Sequence, residues 1–273
     1  MMKTYPRVLT IAGSDSGGGA GVQADIKAIS ATGSYAASAI TAITVQNTIG
    51  VESVFPIPVE TIAGQIRAVL SDIGADAIKI GMMNSPEVIR VICAELDAFG
   101  IRNVVVDPVM VSTSGHKLME DSAIEVLTSE LVPRARVITP NIPEAEILAG
   151  CKITSQSELP AIARKLSCEG KVSVLMKAGH LTDDELVDIF YNAESDSIIE
   201  LKSKRLYSPN THGTGCTLSS AFASYLAQGF SLDDAARAAK TYITEAIAAG
   251  AEYQIGHGHG PVDHFYKGKT LPL

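Results

Sequence analysis

The chain has 273 residues, is 46% hydrophobic and 19% charged, and carries 30 acidic against 22 basic side chains for a formal charge of −8. Its charged fraction lies below the roughly 25% usual for soluble domains, and with a mean hydropathy of +0.20 this excludes a disordered chain and suits strands buried on both faces. The acidic balance, without a run of Lys or Arg, argues against nucleic acid or an anionic membrane as an obligate partner and leaves small molecules.

Apolar β-branched runs alternate with helical patterns along most of the chain, the mark of βαβ units and a parallel sheet. Val8 to Gly13 reads as a strand and Gly21 to Ala31 as a helix; Ala36 to Gln46 is rich in Ile, Thr and Val, and Val59 to Ile73 is amphipathic and helical. Strands at Ala77 to Gly81, Val104 to Asp107 and Val137 to Thr139 precede helices at Pro86 to Phe99, Ser122 to Leu131 and Glu144 to Ala149. A helix from Leu159 to Cys168 and a strand at Val172 to Lys177 follow. Leu186 to Tyr191 and Ile198 to Leu201 then lie too close for a crossover helix, so they should pair antiparallel at the sheet edge. The chain finishes with helices from Gly215 to Ala227 and from Leu232 to about Ala251, then a Gly/His-rich tail. No linker or repeat divides it, which predicts one three-layer α/β domain over 1–273, with ligands beyond the carboxyl ends of the strands.

Cys93, Cys151, Cys168 and Cys216 form no C-x-x-C pair and have no His at metal-ligand spacing, so neither a zinc site nor a disulfide framework is expected. Met1 to Pro6 leads into the first strand without the apolar stretch of a signal peptide, and no apolar run approaches 18 residues; the expectation is a cytoplasmic protein with no membrane span.

Chemistry concentrates at strand ends. Gly13-Ser14-Asp15-Ser16-Gly17-Gly18-Gly19-Ala20-Gly21 has five glycines within nine residues, which suits a backbone that turns tightly against a ligand, or a flexible turn. Neither a dinucleotide fingerprint nor a Walker loop fits: no acidic residue ends the second strand, and G-K-[ST] does not occur. Thr211-His212-Gly213-Thr214-Gly215-Cys216 leads into a helix, so its backbone N–H groups and the helix dipole can form an anion hole. The thiol of Cys216 in that first turn is expected to have a lowered pKa; the alternative is a buried small hydrophobe. In Asn141-Ile142-Pro143-Glu144, two polar heads can stand beside a hydrated Mg²⁺, or Glu144 can simply compensate the helix dipole. Asp107 and Lys177 each end a strand, and a Lys leaving a buried strand suits a phosphate ligand.

These segments, with Thr10-Ile11-Ala12-Gly13-Ser14-Asp15, Gly18-Gly19-Ala20-Gly21-Val22-Gln23-Ala24-Asp25, Thr44-Val45-Gln46-Asn47-Thr48, Lys79-Ile80-Gly81-Met82, Asp107-Pro108-Val109-Met110, Met176-Lys177-x-Gly179-His180 and Gly258-x-Gly260-Pro261-Val262, resemble the bacterial hydroxymethylpyrimidine and phosphomethylpyrimidine kinases of thiamine biosynthesis. The resemblance runs from about Val8 to Phe265. It implies a ribokinase-like fold, ATP and Mg²⁺ as cofactors, a homodimer, and two successive phosphorylations of 4-amino-5-hydroxymethyl-2-methylpyrimidine. It further implies a pyrimidine held by Asp25, Gln46 and Met82 with Gly13 nearby, and ATP phosphates on Lys177, Thr211 and the amides of Gly213, Thr214 and Gly215. Asp107 falls on the phosphate side, Asn141 and Glu144 at the metal and its hydration shell, and Cys216 at the position of a candidate base. An amide at Gln46 matches the ring-nitrogen acceptor and amino donor of an aminopyrimidine edge.

Two other readings stay open in the sequence: a pyridoxal kinase on the same scaffold, and a nucleotide-responsive binding protein without catalysis. Gln46 and Asp25 favour the pyrimidine, and the intact Lys177, Asn141, Glu144 and Cys216 favour an enzyme. Gly256-His257-Gly258-His259-Gly260 could be a metal tract, but only two histidines lie there, and the family resemblance implies a structural C-terminal loop. The stripe Leu232, Ala235, Ala236, Ala239, Tyr242, Ile243 and Ala246 reads as a packed helix face, with Lys240 and Thr241 off it and available to border an adenine.

Overall fold

The computed structural model describes residues 3–110, 118–181 and 184–268; Met1 and Met2 of the N-terminal lead-in lie outside them. The strands are β1 (Arg7–Asp15), β2 (Tyr35–Gln46), β3 (Val51–Pro56), β4 (Ala77–Ile80), β5 (Val104–Val106), β6 (Val137–Ile138), β7 (Ser173–Met176), β8 (Glu185–Asn192) and β9 (Ser197–Lys204). The helices are α1 (Gly21–Ala31), α2 (Val59–Asp72), α3 (Pro86–Phe99), α4 (Asp121–Val126), α5 (Ile142–Ala149), α6 (Leu159–Lys165), α7 (Thr214–Ala227) and α8 (Leu232–Gly250).

Among the described residues the strands form one sheet in the order β3-β2-β1-β4-β5-β6-β7-β8-β9. From β2 to β7 every pairing is parallel, and β7-β8-β9 closes one edge antiparallel as expected. The other edge differs from expectation. Val51–Pro56 is a further strand, antiparallel to β2. It is inconspicuous in sequence because it has no buried face to impose alternation: none of its residues is fully buried.

Alternate strand residues feed two cores. Ile78, Ile80, Val104, Val106, Val174 and Met176 pack on the layer that includes α2, α3, α5 and α6. Ala77, Val105 and Leu175 point the other way, into the layer of α1, α7 and α8, where Phe190 meets Phe222 with ring centroids 5.7 Å apart. Strands covered on both sides need apolar residues at every position, which is why they read as continuous runs. The α8 stripe is buried as expected.

Two helix ends depart from expectation. The 122–131 segment starts as α4 and widens into a π turn at Leu127–Leu131. The helix expected to reach Cys168 stops at Lys165, because Cys168 and Glu169 adopt left-handed backbone, φ 49° and 59°.

The tail folds back over the start of the chain. His259 N–H donates to Thr48 O at 2.9 Å and Gly258 N–H to Thr48 Oγ1 at 3.2 Å. A Cβ at Gly258 would stand 2.0 Å from Thr48 O. The Gly/His segment is thus a structural loop seated on the turn after β2.

Candidate active site

The strand order reverses at β1, with β2 on one side and β4 on the other, and an open α/β sheet offers its ligand crevice beyond the strand ends at such a point. A cavity of about 610 Å³ lies there. Gly13, Gln46, Met82, Asp107, Asn141, Glu144, Lys177, Thr211, Gly213, Thr214, Gly215 and Cys216 all line it.

The glycine-rich loop is held rather than loose. Asp15, 3% exposed at the end of β1, accepts from the backbone N–H groups of Gly17 at 2.8 Å, Gly19 at 3.1 Å and Ala20 at 2.8 Å, and stands 2.9 Å from His212 Nε2. Burial would raise its carboxyl, but the bonds to His212 and the backbone outweigh that and hold it below the ordinary range. Gly213 packs directly on this loop. It has φ 77°, and a Cβ there would come 1.8 Å from Gly19 O, so no other residue can begin α7 in this way. Gly213 and the first turn of α7, Thr214 to Cys216, consequently line the cavity, where the N-terminus of a helix suits an anion.

Lys177 stands at the rim of that turn: a Cβ added to Gly215 would be 3.2 Å from its Nζ. Its ammonium donates to Asp107 Oδ1 at 2.9 Å and lies 3.9 Å from Glu144 Oε2. Burial would lower the lysine's pKa; the two carboxylates more than offset it. Burial would likewise raise Asp107, yet Lys177 and Lys79 keep it ionised below the usual range. Glu144 goes the other way, pushed up to about 7 by burial, with Asp107 adding to the shift and Lys177 opposing it.

Asn141 and Glu144 form a capping box on α5. Glu144 N–H donates to Asn141 Oδ1 at 2.9 Å and Asn141 N–H to Glu144 Oε2 at 2.8 Å. The dipole-compensating role is therefore present. It coexists with a place in the cavity wall, where one Glu144 oxygen faces Lys177.

On the opposite wall, a Cβ at Gly13 would lie 3.0 Å from Met82 Cε. Gln46 places Oε1 3.0 Å from Thr44 Oγ1 and Nε2 3.3 Å from His212 Nε2.

Asp25 is not at this site. It is 0% exposed on α1 and does not line the cavity. Its carboxylate accepts from Lys79 Nζ at 2.8 and 3.0 Å, Thr10 Oγ1 at 2.6 Å and Ser220 Oγ at 2.7 Å. Those four contacts use the lone-pair sites a carboxylate offers, so none is left for a ring amino group. Lys79, also 0% exposed, is the partner that sequence reasoning missed; the signal was a lysine in the fully buried strand Ala77–Ile80.

The thiol of Cys216 also departs from expectation. Burial pushes it up to about 11, Asp25 and Asp107 add to this, and Lys79 opposes without prevailing. At neutral pH it is a thiol. Of the residues considered for an adenine, Lys240 lines the cavity but is paired with Asp188 Oδ2 at 2.7 Å, while Thr241 is exposed elsewhere on α8.

A mostly parallel sheet whose strand ends, helix N-terminus and lysine surround one cavity defines a ribokinase-like small-molecule kinase. The sequence profile of phosphomethylpyrimidine kinases matches residues 15–263. A hydroxymethylpyrimidine/phosphomethylpyrimidine kinase of Rhizobium meliloti is 47% identical over 95% of this chain and 97% of its own. A thiamine biosynthesis bifunctional protein of Geobacter sulfurreducens is 48% identical over 95% of this chain, which spans only 53% of that protein. An ADP complex of Bacillus subtilis pyridoxal kinase superposes with a TM-score of 0.88 at 34% identity, covering 97% of this chain and 99% of that one. The chain belongs to the phosphomethylpyrimidine kinase family.

Proposed function

We propose that this protein transfers the γ-phosphoryl group of ATP to the hydroxymethyl oxygen of 4-amino-5-hydroxymethyl-2-methylpyrimidine and then phosphorylates the monophosphate to the diphosphate, for thiamine biosynthesis. The observation that carries this reading is that one cavity holds both an amide suited to an aminopyrimidine edge, Gln46, and a phosphate cradle made by Lys177 and the first turn of α7.

Phosphoryl transfer of this kind needs positioning and neutralisation of charge more than strong base catalysis. Lys177 and the amides of Gly213, Thr214 and Gly215 serve the phosphates, with Thr211 beside them. Met82 and Gly13 flank the ring. Cys216 remains a protonated thiol and shapes the floor of the anion hole; it accepts no proton, and the hydroxyl proton passes to a phosphate oxygen or to solvent as the phosphoryl group arrives.

Among the described residues no group of three or more His, Cys, Asp or Glu could hold a metal. A site of two carboxylates, Asp107 and Glu144, suits Mg²⁺ that keeps water and phosphate oxygens as its other ligands. Glu144 would hold the ion, with Asn141 in its hydration shell, and the ion would offset charge on the transferring phosphates.

The likeness to a pyridoxal kinase keeps the hydroxymethylpyridine as a second candidate substrate. ATP consumption measured with the pyrimidine alcohol against pyridoxal, with product mass identified, tests both; preference for pyridoxal would reject the first reading. Among the described residues no helix is long and apolar enough to cross a membrane; the proposed place of action is the cytoplasm. Ile43, Val45 and Phe55, exposed on the β2-β3 ribbon, support a homodimer formed through that ribbon; light scattering checks it.

A further inference from the structure

The contacts around His212 contain a conflict of donors. An ionised carboxylate only accepts hydrogen bonds, and Asp15 is held ionised by burial-resistant bonds from three backbone N–H groups and His212. The atom of His212 that meets Asp15 Oδ2 at 2.9 Å is Nε2, so Nε2 carries a proton. That same nitrogen faces Gln46 Nε2 at 3.3 Å, which sets one donor against another. On the other side of the amide, Thr44 Oγ1 lies 2.9 Å from Ser14 O and 3.0 Å from Gln46 Oε1. Its single proton is claimed by the Ser14 carbonyl, which can only accept, so it turns lone pairs toward the amide.

A half turn of the Gln46 amide relieves both conflicts. The NH₂ group then donates to Thr44 Oγ1, and the oxygen, 3.3 Å from His212 Nε2, shares as a second, longer acceptor the one N–H that Asp15 Oδ2 takes at 2.9 Å; the two ends of an amide are told apart only by such partners. The ring of His212 is in turn fixed. A Cβ at Gly19 would meet its Cδ2 at 2.4 Å, and the His212 backbone N–H donates to Gly260 O at 3.0 Å.

We propose that the Asp15–His212 dyad is a specificity-determining positioning element: it fixes which end of the Gln46 amide points each way, and so presents one N–H and one oxygen lone pair to the cavity in the order that an aminopyrimidine edge requires. This rests on Gln46 as the residue that recognises the ring. His212 touches neither phosphate nor ring in this account; it acts through Gln46, tying recognition of the ring to the loop that opens the anion hole one residue later.

The test is a double-mutant cycle of His212→Met with Gln46→Leu, measured with the pyrimidine alcohol at saturating ATP. His212→Met should raise KM about 5- to 30-fold, the cost of one misdirected hydrogen-bonding group, with kcat within about 3-fold. On the Gln46→Leu background it should cost nothing further in KM. His212→Gln, which keeps an N–H donor within reach of the same place, should recover most of the loss. Equal losses on both backgrounds, or a His212→Gln enzyme as poor as His212→Met, would overturn the proposal. Nitrogen NMR of the unaltered protein reads the same point without a substitution: a protonated Nε2 supports it and a bare Nε2 overturns it. Failure of the unaltered enzyme to phosphorylate the pyrimidine alcohol rejects the functional reading and this inference together, whereas turnover with additive losses rejects this inference alone.

Discussion

Lys177 Nζ lies 2.9 Å from Asp107 Oδ1, joining the ends of β7 and β5 across the shorter β6, with the two side chains 13% and 2% exposed. The lysine is therefore already paired before any phosphate arrives. Lys177→Ala removes the proposed phosphate ligand and also strands a buried carboxylate, which typically costs about 3 to 5 kcal/mol. The double variant Lys177→Ala/Asp107→Asn should regain most of that stability in urea denaturation while remaining deficient with both the alcohol and the monophosphate. Survival of either reaction intact would show that the two phosphorylations do not share one site.

Asp25 and Lys79 form a fully enclosed pair, so Asp25→Ala should act on folding rather than on recognition. The expected loss is about 3 to 5 kcal/mol from the unpaired ammonium. Asp25→Leu/Lys79→Met, an apolar replacement of similar bulk, should recover much of it. A folded Asp25→Asn enzyme with unchanged urea midpoint but a raised KM for the pyrimidine would return Asp25 to the ring-binding wall.

Gln46→Leu leaves the polar edge of the ring unpaired at about 1 to 3 kcal/mol per group, so kcat/KM for the pyrimidine alcohol should fall roughly 5- to 150-fold. ATP affinity, measured by calorimetry, should not move. An unchanged kcat/KM would remove Gln46 from the site.

Cys216 separates a base from a neutral group. A base reading expects Cys216→Asp to retain more activity than Cys216→Ser, with Ser about 10²- to 10⁴-fold down. A thiol pushed up to about 11 among Asp25 and Asp107 predicts the reverse. Serine should stay within about 10-fold of the parent, and aspartate should be worst because it adds a third carboxylate. Kinetics on both variants, with folding checked by circular dichroism, give the order.

His264, 4% exposed against Thr217 Oγ1 at 2.9 Å, has its pKa lowered by burial from 6.5 to about 4. The unfolded chain thus takes up a proton near pH 6.5 and the folded chain only near 4. Stability from this group is full above that window and falls as pH drops through it, by about 3 kcal/mol in all. His264→Gln should flatten that part of the acid limb when urea midpoints are compared at pH values across the window; an unchanged slope would show that the histidine titrates freely.

The sheet was legible wherever burial on both faces wrote itself as an unbroken apolar run, as in Val104–Val106 and in Val174, Leu175 and Met176. It was illegible at Val51–Pro56, an edge strand with no buried face. The same distinction runs through the site. Gly213, Lys177 and Asp107 announce themselves as glycine or charge at the end of an apolar strand or the start of a helix, and all of them line the cavity. Asp25 sits in an equally suggestive motif, but its partner is 54 positions away and its neighbour Ser220 is 195 away. Charge next to glycine in the sequence says nothing about which side of the sheet the charge will face. Local motifs located the strand ends correctly; the long-range pairings that neutralise Asp25 and fix Asp15 required the fold.

The seating of His259 and Gly258 on Thr48 gives the enzyme an order of assembly. As the chain leaves the ribosome, β1, β2 and the glycine-rich loop emerge first, yet the loop's His212 partner and the Gly258–Gly260 brace come some two hundred residues later. Nearly the whole polypeptide must be synthesised before the cavity wall at Asp15 and Gln46 acquires its final contacts. A truncated or stalled nascent chain can thus hold a partial sheet while lacking the contacts that seat the glycine-rich loop and the turn after β2.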